Sequence, residues 1–157
     1  ARPTYNGVLS GRQLAWLENN LANVPMDKLV VISAHVTFQT YTDNTAAKHQ
    51  TDNFDALVEI LEGRKVLALT GHTHTTENIE PGESYAGWAE NTNVAAAPFH
   101  QIVTGALSGS WWAGDLNDQG VPHATQRLGA PRGYFRIDFD GADYTETYLT
   151  FGEPEEG

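Results

Sequence analysis

Two histidines two residues apart, His72 and His74, directly follow Gly71, and a third histidine, His35, stands upstream of them. Imidazole nitrogens ligate Zn, Fe, Ni and Cu, and carboxylate partners extend the range to Mn. On an extended segment, residues two apart point to the same side, so His72 and His74 can converge on one ion or on two adjacent ions. Gly71 permits a tight backbone just before them. A lone His-x-His is a weak motif, equally at home on a surface with no ligand role. His35 alone reads as readily as a satisfied core histidine. The three together point to a metal site.

Their positions relative to the expected elements strengthen that reading. Ser10 is a good helix N-cap, and Leu14, Trp16, Leu17 and Leu21 form an apolar face at helical spacing, predicting a helix over about 11–23 that stops at Pro25. The run 28–34 reads as a fully buried strand in a parallel or central position, with His35 directly at its C-terminal end. Residues 36–51 read as a long polar loop, the kind that carries function. A second helix, capped by Thr51 or Asp52, shows Phe54, Leu57, Val58 and Leu61 on one face and Gly63 at its end. A second buried strand over 65–69 then leads into Thr70–His74. Two neighbouring parallel strands would bring His35 near His72 and His74. The alternation predicts an α/β sheet with its site at strand C-termini.

Beyond Thr75 the pattern becomes β-rich, with strands expected over 77–80, 99–107, 133–140 and 144–151. Phe135, Ile137 and Phe139 alternate with Tyr134, Arg136, Asp138 and Asp140, and the turn residues 140–143 signal a hairpin.

The chain has 157 residues, 40% of them hydrophobic, enough for one globular domain. Its net charge of -11 repels polyanions and argues against nucleic-acid binding. Phosphoesters remain accessible if metal cations supply local positive charge. No apolar run reaches the roughly 20 residues of a membrane span. The absence of cysteine excludes disulfides, thiolate metal sites and Cys nucleophiles. The start Ala1-Arg2-Pro3 reads as a cut within a longer chain.

Several segments resemble the calcineurin-like metallophosphoesterases. Residues 7–17 resemble the stretch that follows the family's Asn-His motif, 28–35 its strand ending in a metal-binding histidine, and Gly71-His72-Thr73-His74 its terminal Gly-His-x-His. Residues 105–114 and 129–134 resemble a bacterial subgroup with extra terminal domains. The resemblance implies an α/β fold that is part of a β-sandwich flanked by helices (α/β/β/α), with 1–157 forming the C-terminal part of one truncated domain. It implies a phosphoric ester hydrolase, acting on monoesters or diesters, with two divalent metal ions (Mn, Fe, Zn or similar). His35 and His72 would bind one metal and His74 the other, and a metal-bridged hydroxide would attack phosphorus. It slightly favours a periplasmic or secreted location.

The family's site also uses Asp-x-His, Gly-Asp-x-x-Asp and Gly-Asn-His, which supply further ligands, the bridging carboxylate and the acid. Asp-x-His and Gly-Asn-His do not occur in this sequence, and Gly-Asp-x-x-Asp at 114–118 lies after the histidine pair and reads as coincidence. The expectation is therefore an inactive fragment whose N-terminal half, or another copy of the chain, completes the site. No catalytic acid or base is assigned. Trp111 and Trp112 are candidate substrate contacts, although core packing accounts for them too. His100 and His123 read as structural, and Lys48 and His49 as a solvated loop within possible reach of phosphate. The alternatives are a mononuclear three-histidine module that binds a metal or another ligand, including a cupin-like form using Glu77, or a three-histidine zinc hydrolase. The partner expected is a small phosphoester, with no nucleic acid and no membrane.

Overall fold

The computed structural model describes residues 5–42, 48–107, 116, 118, 120 and 133–150. Along them run α1 (Gly11–Leu21), β1 (Leu29–Val36), α2 (Phe54–Leu61), β2 (Lys65–Gly71), β3 (Glu77–Ile79), α3 (Trp88–Thr92), β4 (His100–Val103), β5 (Gly133–Asp140) and β6 (Asp143–Thr150). This is a mixed α/β fold. One sheet has the order β1-β2-β4-β3, with β1, β2 and β4 parallel and β3 antiparallel to β4. The hairpin β5–β6 forms a separate two-stranded sheet, turning through Gly141 and Ala142 with Asp140 opposite Asp143.

Local chemistry explains the helix boundaries. Ser10 Oγ accepts from the Gln13 backbone N–H at 3.3 Å, and Gln13 Oε1 accepts from the Ser10 backbone N–H at 2.9 Å. This reciprocal box satisfies two donors that a helix start would otherwise leave orphaned. Helix α2 buries Phe54, Leu57 and Leu61, which its 3.6-residue period places on one face. They pack with Phe38, Val66, Ala68 and Phe99, and the Phe38 and Phe54 rings stack at 5.0 Å. Each of the Phe, Leu and Val side chains contributes about 1.5–3 kcal/mol by leaving water. A second cluster, Ile79, Trp88, Ala97 and Val103, lies beneath β3 and β4.

Several expectations are corrected. Strand β1 is parallel to β2, as expected, but not fully buried: among the described residues it is an edge strand whose residues Val31, Ser33 and His35 are exposed while Val30, Ile32 and Ala34 are half-buried. A run of β-branched residues cannot by itself distinguish a central strand from an edge strand with one packed face, and β2 and β4 hold the central places. His35 lies within β1 rather than beyond it. In α1, Trp16 is 65% exposed and only Leu21 is fully buried, so the apolar face is narrower than the spacing suggests. Strand β4 is shorter than the expected 99–107, and α3 was not visible in any periodicity because it is five residues long.

The segment after β1, expected as a long polar loop, begins with buried residues. Thr37, Phe38, Gln39 and Thr40 are all buried. Burial is possible because their polar atoms are partnered: Thr37 Oγ1 donates to Gln39 O, Gln39 Nε2 to Val94 O, and Thr40 Oγ1 to Glu77.

Candidate metal centre

His35 and His72 meet because β1 and β2 are parallel neighbours, with Val36 opposite Gly71 at their C-terminal ends. His35 Nε2 lies 3.2 Å from His72 Nδ1. Two ligands held about 2.0–2.1 Å from one ion, at tetrahedral or octahedral angles, stand roughly 3.0–3.4 Å apart. The pair therefore has the spacing of adjacent ligands on one cation.

The other ring nitrogen of His72 is engaged as well. His72 Nε2 is 3.1 Å from His49 Nδ1, and the Tyr5 ring centroid stands 4.6 Å from that of His72. His72 is thus the middle of three imidazoles, facing His35 with one nitrogen and His49 with the other. It is buried, and burial lowers its pKa below the ordinary 6.5, with the neighbouring His49 and His35 lowering it further. A backbone hydrogen bond with Tyr5 opposes the shift and His74 adds to it. Neutral imidazole is the form that ligates metals, so this environment prepares His72 as a ligand.

The His72–His74 segment is not extended. The backbone N–H of Thr73 donates to Gly71 O at 2.9 Å, and His72 has φ 74°. That combination is a tight three-residue turn of the rare, strained kind. A Cβ at Gly71 would meet only ordinary contacts, so the demanding conformation falls on His72 instead. His74 has φ 60° and His49 φ 68°. His72, His74 and His49 thus hold left-handed backbones, each at a cost of about 1–3 kcal/mol. The turn also means that His72 and His74 do not share a side by strand alternation.

The segment around the histidines is anchored by Glu77. Its buried carboxylate accepts from Thr40 Oγ1, the Tyr41 backbone N–H, Thr42 Oγ1 and Thr75 Oγ1 at 2.6–3.0 Å. Both carboxylate oxygens are taken by these donors, which counts against a cupin-like metal role for Glu77.

His49 is the residue that sequence reasoning undervalued. Its position follows from a long-range pairing: Gly7 forms a bridge with Thr51, accepting from Asp52 N and donating to Gln50 O. No spacing rule announces that contact. Trp111, Trp112 and His123 lie outside the described residues, as does most of 114–118. His100 is on β4 and buried, in keeping with a structural position.

The His35 and His72 imidazoles thus meet where the parallel strands β1 and β2 end. Residues 101–157 match the family described as the C terminal of Calcineurin-like phosphoesterase, in agreement with the family that the Gly-His-Thr-His block resembles. The matched residues do not include His35, His72 or His74. No curated protein matches the chain.

Proposed function

We propose that this chain supplies the histidine half of a dinuclear metal-dependent phosphoesterase site, acting on a small phosphomonoester or phosphodiester. The observation that carries the reading is the 3.2 Å approach of His35 Nε2 to His72 Nδ1 at adjacent strand ends. These two residues would hold one ion and His74 the second. When bound, two divalent ions supply Lewis-acid charge at a phosphoryl group. The chain's own residues orient that site: the parallel pairing sets the imidazole spacing, burial keeps His72 neutral, and the Glu77 anchor restrains the loop after His35.

The reading also requires carboxylate ligands from an additional segment or a second copy. In it, residues 1–157 form part of an α/β/β/α sandwich, and the exposed Val31–His35 side of β1 is where further structure would join. Isolated histidines lack the bridging carboxylate, so the chain alone should hydrolyse phosphoesters negligibly. A second reading is a mononuclear histidine module, in which the His49 Nδ1 and His72 Nε2 atoms, 3.1 Å apart, would hold one ion.

Metal content and hydrolysis of a chromogenic phosphodiester, measured on the full gene product, separate the two. Two ions per chain at the histidine centre and a rate abolished by His72→Ala support the phosphoesterase. One tightly held zinc there and no hydrolysis would overturn it.

A further inference from the structure

A second constellation lies away from the histidine centre, where the hairpin meets the sheet. His100 on β4, Glu80 just beyond β3 and Glu146 on β6 each present one ligand atom, all within 4.8 Å of one another. His100 is 6% exposed, Glu146 is half-buried, and the Glu80 side chain opens to solvent.

The orientation of the His100 ring is specific. Its Nδ1 is 2.6 Å from the Tyr144 hydroxyl, and its Nε2 is in hydrogen-bond contact with Asn78 Oδ1. Glu80 Oε1 stands 3.8 Å from the same Nε2. Of the three oxygens, those of Asn78 and Glu80 face Nε2, and that of Glu146 lies within 4.8 Å of a His100 ring nitrogen and of the Glu80 carboxylate. Two of the three are carboxylates. An imidazole nitrogen with carboxylate and carbonyl oxygens matches the ligand set of zinc-class divalent ions. Without an ion, Nε2–H donates to Asn78 Oδ1 and Nδ1 accepts from the Tyr144 hydroxyl. A cation at Nε2 would take the place of that proton, with the ring proton moved to Nδ1 and donated to the Tyr144 oxygen. Outer hydrogen bonds of this kind orient metal-ligating histidines.

The position gives such an ion a task. Among the described residues the hairpin β5–β6 shares no strand pairing with the four-stranded sheet, and an isolated two-stranded hairpin is marginally stable in water. Its described links to the sheet include Lys65–Asp143 at 3.3 Å, an exposed ion pair of little stabilising value.

We infer that Glu80, His100 and Glu146, assisted by Asn78, bind a zinc-class divalent cation that clasps the β5–β6 hairpin to the β3–β4 edge of the sheet. Closing the ligands onto an ion requires an inward shift of the solvent-open Glu80 side chain, since zinc ligands stand roughly 3–4 Å apart. This site is separate from the one at His35 and His72 and does not depend on the phosphoesterase reading.

The test uses zinc alone with the full chain, comparing stoichiometry by equilibrium dialysis and elemental analysis. Glu80→Gln/Glu146→Gln should lose one equivalent of zinc relative to the parent. His72→Ala/His74→Ala should retain that equivalent, with at most tenfold weaker affinity. Zinc should also slow amide exchange in β6 in the parent and not in the Glu80→Gln/Glu146→Gln variant, a readout unaffected by loss of the other centre. Unchanged stoichiometry in Glu80→Gln/Glu146→Gln, or the loss of all zinc in His72→Ala/His74→Ala, would overturn the clasp. So would β6 exchange that ignores zinc in the parent. Circular dichroism verifies folding, and the single variant Glu80→Gln, which alters an open side chain, repeats the test and should weaken zinc at least tenfold.

Discussion

His35 Nε2 and His72 Nδ1 face each other across 3.2 Å on parallel strands, although 36 residues of chain, including a complete helix, separate them. The spacing depends on the strand pairing and on a register shift between Ser33 and Val36 that sets Val36 opposite Gly71. If these nitrogens share an ion, His35→Ala should weaken binding of Mn or Zn at the histidine centre by at least tenfold, the lower bound for even an outer-shell partner. Calorimetric titration of metal-stripped protein checks this, and the fold should survive because His35 is exposed.

The lowered pKa of His72 makes a signed prediction for pH. Its folded-state pKa lies below 6.5, so the unfolded chain binds the proton more readily. Stability contributed by the neutral ring is fully present above the unfolded value and is lost as pH falls through it toward the folded value. Urea denaturation between pH 8 and 5 should show a loss on acidification that is smaller in His72→Ala. Metal affinity should fall over the same window, because protons compete for the ring nitrogens.

Glu77 is the structural carboxylate of the site. Glu77→Gln keeps its shape but replaces an all-acceptor group with one carrying an N–H₂ that faces hydroxyl and amide donors. The expected cost is about 2–4 kcal/mol, from charge-assisted hydrogen bonds worth about 1.5–3 kcal/mol each. A lower urea midpoint with an unchanged m-value would show it.

Gly7 is constrained by closeness. A Cβ there would stand 2.8 Å from Thr51 Oγ1 and 3.2 Å from Val36 Cβ. Gly7→Ala should destabilise by about 1–3 kcal/mol, the range for overpacking, and should loosen the segment that holds His49 against His72. Thermal unfolding gives the first effect, and broadening of the His49 ring resonances gives the second.

What was legible in the sequence follows from the range of the forces involved. The capping box at Ser10 and Gln13, the apolar face of Phe54, Leu57 and Leu61, and the Gly141 hairpin are local, and each stood in the pattern of neighbouring residues. The adjacency of His35 and His72 was also readable, because two helix–strand units in succession favour parallel neighbours. Three things were not readable. Whether β1 is an edge depends on what pairs with its outer side, which its own residues do not encode. The burial of Thr37–Thr40 depends on Glu77, 37 residues away from Thr40, and polar composition without periodicity carries no sign of that partner. The turn at His72 replaced the expected extended segment because the Thr73–Gly71 hydrogen bond reverses the chain one residue after the strand ends.

The Glu77 carboxylate has a thermodynamic consequence for the site beside it. By tying Thr40, Tyr41 and Thr42, beyond β1, to Thr75, just beyond His74, it joins the two chain segments that leave the histidine strands. The conformational entropy of gathering the imidazoles is therefore surrendered during folding and not again when an ion arrives. An incoming cation meets a cradle whose shape barely changes on loading, so the ion-free and ion-bound molecules should share one backbone around His35 and His72.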